Sequence, residues 1–85
     1  MRHEAGKRVG RLLREDAGAL RRLAGTARVL ASESDDGLFA VAEFRDRAGI
    51  GRNLAVEVLE YFDVAGYTER VGDVRRVVGR LDAIQ

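Results

Sequence analysis

The residues best suited to chemistry in this chain are arginines placed where a phosphate could be bound. Arg52 and Asn53 follow the turn sequence Gly-Ile-Gly, at the predicted first turn of a helix. That turn has backbone N–H groups without partners and a partial positive charge, which suits an anion. The same dipole disfavours a cation, so the position of Arg52 favours contact with a ligand. A solvent-exposed Arg52 without a function is the alternative.

A second set of arginines, Arg70, Arg75 and Arg76, lies in two β-rich runs around Gly72-Asp73, which predict a hairpin. Successive side chains on a strand point to opposite faces, so only one of Arg75 and Arg76 can face a given partner. Alternation alone leaves open which of the two faces the partner, and the other, Arg76 if the partner is bound through Arg75, is expected to be a solubility charge on an edge strand. Because guanidinium groups bind phosphates and stack on unpaired bases, these positions indicate nucleic-acid binding.

Catalytic and metal-binding patterns are missing from the sequence. It has no cysteine, a single histidine at His3, and no Gly-rich loop of the nucleotide-binding type. The acidic pairs Asp35-Asp36 and Glu57 with Glu60 are expected to be solvated. We therefore predict no catalytic residue, no metal site and no cofactor. No apolar run reaches the roughly 20 residues of a membrane span, so we expect no membrane partner and a cytoplasmic location.

The charge is nearly balanced in total but unevenly placed. The 85 residues carry 15 Lys and Arg against 14 Asp and Glu, and 14 of the 15 cations are Arg. Residues 66–80 hold four arginines against two acids, whereas residues 57–63 hold three acids and no cation. Such a domain can present a local basic face without a high net charge.

Length and pattern predict one small α+β domain with the winged-helix fold, a three-helix helix-turn-helix core followed by a C-terminal β-hairpin wing. Its predicted parts are a flexible basic lead-in over residues 1–11, a first helix and turn over 12–37, the helix-turn-helix and wing over 38–80, and a tail over 81–85.

Within these parts, apolar residues at three- and four-residue steps predict a first helix over residues 12–31 and further helices from Val41 to Ala48 and from Arg52 to about Ala65. A very short strand is expected at Leu38 and Phe39. Tyr67–Val71 and Val74–Val78 are expected to form the hairpin. Tyr61 and Tyr67 could stack on bases, although core packing is the preferred interpretation for Tyr61.

Residues 38–79 also resemble one known family. The motifs EFRDR, the Gly-Ile-Gly-Arg turn, LEYFD, GYT and R-x-GD-x-R occur in the order found in the last winged-helix domain of the selenocysteine-specific elongation factor SelB. The resemblance implies a domain that recognises the mRNA hairpin directing selenocysteine insertion. Carried over by position, it implies RNA contacts at Gly51, Arg52, Asn53, Arg70 and Arg75. If the chain is a fragment, the GTPase and tRNA-binding parts of the factor are further partners.

Three positions depart from the family pattern, each by loss of a cation. Asn53, Glu69 and Val64 stand where the family commonly has a base. Two other functions stay open on the residues alone. One is a DNA-binding winged-helix regulator, which would need polar side chains along the second helix of the motif to read base edges. The other is a winged helix that binds protein.

Overall fold

The computed structural model describes residues 6–80 and consists of four helices and three short strands within that range. In chain order the elements are α1 (Lys7–Glu15), α2 (Ala17–Glu33), β1 (Leu38–Ala40), α3 (Val41–Ala48), α4 (Arg52–Val64), β2 (Thr68–Val71) and β3 (Val74–Val77). The predicted winged-helix fold is confirmed: α3 and α4 are the helix-turn-helix, and β2 and β3 are the wing. The predicted tail over 81–85 lies outside the described residues.

The N-terminal region differs from its prediction. Instead of one helix over 12–31, two helices are separated at Asp16, whose φ of −157° and ψ of 72° are not helical. The expectation of a flexible lead-in over residues 1–11 is wrong for residues 7–11, which belong to α1; residues 1–5 are outside the described range. The reason is tertiary, because Val9 of α1 is completely buried.

A carboxylate from α4 completes the first turn of α1. Glu57 accepts hydrogen bonds from the backbone N–H of Arg8 (3.1 Å) and of Val9 (3.4 Å) and pairs with the Arg8 guanidinium at 2.6 Å. Backbone donors in the first turn of a helix have no intrahelical partner, so this carboxylate fixes the start of α1 on the side of α4.

Two glycines set the ends of the turn in the helix-turn-helix. Gly49 ends α3 in the left-handed conformation (φ 70°) and donates its N–H to the Arg45 carbonyl at 2.9 Å. Gly51 is the N-cap of α4, with an extended backbone and no side chain to cap the helix. The N-terminal face of α4 is therefore open to solvent.

The sheet is antiparallel with strand order β1-β3-β2. Phe39 lies opposite Arg75, and Arg75 lies opposite Arg70, so β3 is the central strand. The two-residue Gly72-Asp73 turn is confirmed, with Gly72 at a φ of 64°. Both strands of the hairpin are one residue shorter than predicted: β2 begins at Thr68 instead of Tyr67, and β3 ends at Val77 instead of Val78.

The core fills the space between the helices and the inner face of the sheet. Its members are the buried apolar residues Val9, Leu20, Leu23, Ala24, Ala27, Leu30, Phe39, Phe44, Ala55, Val58, Leu59, Phe62 and Tyr67. Phe62 and Tyr67 meet edge to face with ring centroids 5.4 Å apart. Because α4 contributes four of these residues, its outward flanks are held in a fixed orientation.

Candidate nucleic-acid interface

A groove of about 470 Å³ separates α4 from the wing and extends to the start of α3. Its lining residues are Ala40, Val41, Ala42, Arg52, Val56, Glu60, Arg70, Asp73 and Arg75. Three of the arginines singled out in the sequence therefore border one concave surface. Its volume lies within the range of roughly 300–1,000 Å³ found for small-molecule pockets.

Arg52 stands at one end of the groove, in the first turn of α4. Its side chain is exposed and makes no hydrogen bond or ion pair with any residue between 6 and 80. Gly51 and Asn53 beside it are exposed as well. No acidic residue lies in the first turn of α4, so the guanidinium and the free backbone N–H groups at this end can both face an anion.

Arg70 approaches the groove from the wing. Pairing of Arg70 with Arg75 and of Thr68 with Val77 places these four residues on one face of the hairpin, toward α4. The Arg70 side chain is exposed and donates from Nε to the carbonyl of Gly72 at 2.9 Å, which leaves its terminal nitrogens free of partners among the described residues. Arg70 can therefore bind a second group on the ligand.

Arg75, for which the resemblance implied an RNA contact, is largely buried in the structure. It is only 5% exposed, and its Nε and Nη2 donate to the Asp63 carboxylate at 3.2 and 3.0 Å. Thr68 also donates its hydroxyl to Asp63, at 2.6 Å. Arg75 does share a face with Arg70 and border the groove, but its guanidinium is already paired. Arg75 therefore lines the groove and links the wing to the end of α4 through Asp63.

Arg76 points to the other face of the hairpin, where it pairs with Glu69 at 2.8 Å. It is exposed, as expected, but it lies on the central strand of the sheet and not on an edge strand. Glu69 is consequently also on the face turned away from the groove. A family-like cation at this position would not line the groove.

The acids of α4 are less repulsive to an anion than their number indicates. Glu57 is on the flank that binds α1, and Asp63 is paired with Arg75. Only Glu60 of the three borders the groove, together with Asp73 of the turn. The cations and acids of the groove are thus nearly balanced, with the unpaired cations at its two ends.

The comparisons with known proteins agree with the winged-helix fold. The family model described as "Elongation factor SelB, winged helix" matches residues 32–77, which are 46 of the 85 residues. The chain belongs to the SelB winged-helix family. The selenocysteine-specific elongation factor of Escherichia coli (strain K12) is 49% identical over 41 residues, which make up 48% of this chain and 7% of that protein. The chain thus spans only a small part of the length of this relative.

Two SelB-like motifs are joined directly in the fold. Asp63 closes the LEYFD motif and Arg75 closes the R-x-GD-x-R motif, twelve residues later. The sequence gives no register from which their contact could be predicted, so the role of Asp63 was missed there. The groove floor residue Val56 was missed as well, since an apolar residue at helical spacing is usually part of a core.

Neither tyrosine borders this groove of the SelB-like domain. Tyr67 is fully buried and donates its hydroxyl to the carbonyl of Ala24 at 2.8 Å. Burial raises the pKa of its phenol above the ordinary value. Its use as a stacking platform for a base is thereby excluded, whereas Tyr61 is half-buried and packs against Phe62.

No group of three His, Cys, Asp or Glu side chains within residues 6–80 of this SelB relative could hold a metal ion. The described part of the chain likewise has no helix long and apolar enough to cross a membrane.

Proposed function

We propose that this domain binds an mRNA hairpin, the selenocysteine insertion element, as the RNA-binding part of a SelB-type elongation factor. The observation that carries the proposal is the convergence of Arg52 and Arg70 on one groove from two different elements. Neither guanidinium forms an ion pair within residues 6–80, and the hydrogen bond of Arg70 Nε to the Gly72 carbonyl leaves its terminal nitrogens available. Membership of the SelB family points in the same direction.

The ligand contacts follow from the two ends of the groove. At the start of α4, Arg52 and the free N–H groups bind a phosphate of the loop backbone. At the wing, the guanidinium of Arg70 binds a neighbouring phosphate or stacks on an unpaired base. The groove between them, with Val56 half-buried in its lining, admits a base that has left the helical stack.

A looped RNA suits this groove better than a duplex DNA. A helix that reads the major groove needs polar side chains along its exposed flank. The flank of α4 that faces the groove presents Val56 and the carboxylate of Glu60, which can neither donate to base acceptors nor approach phosphates favourably. Contact through the helix start and the wing, with single-stranded nucleotides between them, avoids this conflict.

In this proposal the domain acts by binding and takes no part in catalysis. The GTPase and tRNA-binding parts of the elongation factor are then its partners, and the domain holds them beside the messenger RNA. A relative named as a selenocysteine-specific elongation factor, of which this chain matches 7%, supports that setting.

The proposal is tested by binding the domain to a looped RNA hairpin and to the same strand annealed to its full complement. A salt concentration of about 150 mM limits contacts that depend on charge alone. Binding to the hairpin should be at least tenfold tighter than to the duplex RNA, and a duplex DNA of equal length should bind no better than the duplex RNA. Equal or tighter binding to duplex DNA would overturn the RNA proposal in favour of a DNA-binding domain. No binding to any of the three would favour a protein partner.

A further inference from the structure

The excess positive charge of the chain is carried outside the helix-turn-helix and wing. Residues 7–33 hold seven cations and three carboxylates, an excess of four positive charges. Residues 34–80 hold seven arginines and nine carboxylates, an excess of two negative charges. The proposed RNA groove therefore lies in the acidic half of the domain. The cations of the basic half, residues 7–33, take no part in that groove.

Three of these cations share the outward face of α1. Lys7, Arg11 and Arg14 are spaced by four and three residues, so they lie on one side of the helix. With Gly6 and Gly10 they line a shallow surface depression. We call Lys7, Arg11 and Arg14 the α1 basic face. Because Gly10 has no side chain, the floor of this depression is open to the backbone of a ligand.

The α1 basic face is available for binding. Lys7 and Arg14 are exposed and make no ion pair or hydrogen bond through their side chains with other residues in the 6–80 range. Arg11 pairs only with Glu15, at 3.3 Å, and both side chains are more than 60% exposed. Exposed pairs of this kind contribute about 0–1 kcal/mol, so a phosphate can displace the carboxylate at little cost.

The orientation of this face is fixed by the opposite side of α1. Val9 is completely buried in the core, and Glu57 holds the backbone of Arg8 and Val9. The face is thus presented by a docked helix. The first turn of α1 already has an anionic partner in Glu57, so the cations of its side chains are what remains for a ligand.

We propose that the α1 basic face binds the phosphodiester backbone of a nucleic-acid duplex, without regard to base sequence. At a rise of about 1.5 Å per residue, its outer cations are about 10 Å apart along the helix axis. That distance corresponds to about three base-pair steps along a duplex axis, at a rise of roughly 3.4 Å per step. In a hairpin bound through its loop, this second contact would bind the duplex stem. The proposal holds for any duplex and does not depend on the groove.

A membrane surface is the other common partner of a basic amphipathic helix, and the packing disfavours it. Such helices bind by burying their apolar face among lipid chains. The apolar face of α1 is turned into the protein, with Val9 fully buried and Leu12 half-buried. Apart from the single exposed side chain of Leu13, the free face of α1 is charged, which suits a hydrated polyanion.

The test uses a blunt RNA duplex and a blunt DNA duplex of about 20 base pairs, neither with a loop, and vesicles containing anionic lipid. The test variant replaces Lys7, Arg11 and Arg14 together by Gln. The matched control replaces Arg22, Arg45 and Arg47 by Gln; these three are surface cations already paired with Asp16, Asp46 and Glu33. Both variants remove three positive charges, so the control matches the change in net charge; it differs in position and in that its cations are already paired.

The wild-type chain should bind at least one duplex, with log K falling against log salt at a slope of about −2 to −3, or about −0.9 per phosphate contact. The test variant should lose at least tenfold in affinity and flatten the slope, whereas the control variant should lose less than threefold. Equal losses in both variants, or no loss in the test variant, would overturn the proposal, as would binding to vesicles but to neither duplex. Binding to RNA alone, or to both duplexes, identifies which backbone the face accepts.

The single substitution Arg52→Gln separates this proposal from that of the groove. It should leave duplex binding unchanged, since Arg52 is not part of the α1 basic face. If duplex binding depends on Arg52 and not on α1, the duplex contact belongs to the groove and the α1 proposal fails. If the hairpin is not recognised but duplex binding is lost with the α1 basic face, the groove proposal fails alone.

Discussion

The Asp63 carboxylate and the Arg75 guanidinium join the end of α4 to the central strand of the sheet. Two donor nitrogens of Arg75 lie 3.2 and 3.0 Å from one carboxylate oxygen, and the Asp63 and Arg75 side chains are 25% and 6% exposed. The Thr68 hydroxyl binds the other oxygen. The angle of the wing relative to α4, and hence the width of the groove, depends on this contact.

Removing one partner of the Asp63–Arg75 pair should destabilise the domain strongly. Asp63→Ala leaves a nearly buried guanidinium without a counter-ion, which costs about 3 kcal/mol, the low end for a broken buried pair. Arg75→Met should cost less, about 1–2 kcal/mol, because Asp63 is partly solvated and keeps its bond from Thr68. Urea unfolding of both single variants measures these losses.

The double variant provides the control for that pair. If the two side chains act through each other, the combined loss should fall short of the sum of the single losses by at least about 1 kcal/mol. Strictly additive losses would mean that the two residues stabilise the fold independently.

The Glu57 contact with α1 should make stability depend on acid pH. Burial acts to raise the pKa of Glu57, but the hydrogen bonds from the Arg8 side chain and from the N–H groups of Val9 and Arg8 outweigh it and lower the pKa below 4.5. A carboxyl with a lowered folded pKa contributes stability above the unfolded value, and this contribution is lost as pH falls through the folded pKa. The free energy of unfolding should therefore fall below about pH 4.5.

Glu57→Gln isolates this contribution from other acids. The pKa values of Glu33, bound by Arg47, and Asp36, bound by Ser34, are also lowered, but both stay in the variant. We expect Glu57→Gln to lower the free energy of unfolding by about 1 kcal/mol at pH 6. Between pH 6 and pH 3, the free energy of unfolding of the variant should change less with pH than that of the wild type. If the free energy of unfolding changed with pH in the same way in the wild type and in Glu57→Gln, Glu57 would contribute no pH-dependent stability.

Gly6, the N-cap residue before α1, and Gly10 inside the helix should respond to alanine in opposite directions. At Gly6 an added Cβ would overlap the Glu57 side chain, so the carboxylate must move away from the N–H groups it binds. We expect Gly6→Ala to cost about 1 kcal/mol. Gly10 is inside the helix, and a Cβ there meets only the Arg14 side chain, at 3.6 Å. Gly10→Ala should stabilise by about 0.5–1 kcal/mol through its higher helix propensity.

Thermal melts distinguish these outcomes, since about 1 kcal/mol shifts the midpoint of a domain this size by roughly 4–8 °C. A melt of Gly6→Ala at or above that of the wild type would show that α1 is not held by Glu57.

Helices and the wing could be predicted from the sequence because local signals and the fold agree there. Helix α3 (Val41–Ala48) and the start of α4 at Arg52 agree with the spacing of apolar residues on either side of the turn at Gly49 to Gly51, and the hairpin turns at Gly72-Asp73. The break at Asp16 and the docking of α1 could not be predicted in this way. They depend on Glu57, which is 49 residues from Arg8 in the chain.

The candidate site was predictable in part for the same reason. The exposure of Arg52 follows from its place in a helix first turn, and the shared face of Arg70 and Arg75 follows from strand alternation. Alternation does not tell which side of the hairpin is covered by α4, and so the pairing of Arg75 with a residue of α4 could not be predicted. The burial of Arg75 is decided by Asp63, whose position opposite the hairpin is a property of the folded chain.

The most direct test of the groove as an RNA-binding site compares arginines on opposite faces of one hairpin. Arg70→Ala and Arg76→Ala make the same chemical change on the wing, and Arg52→Ala removes the cation at the other end of the groove. Dissociation constants for a looped RNA hairpin should rise by roughly 5- to 150-fold for Arg52→Ala and Arg70→Ala, equivalent to about 1–3 kcal/mol. They should change less than twofold for Arg76→Ala, with all three variants folded. Equal weakening by Arg70→Ala and Arg76→Ala, or unchanged affinity in both Arg52→Ala and Arg70→Ala, would contradict the account.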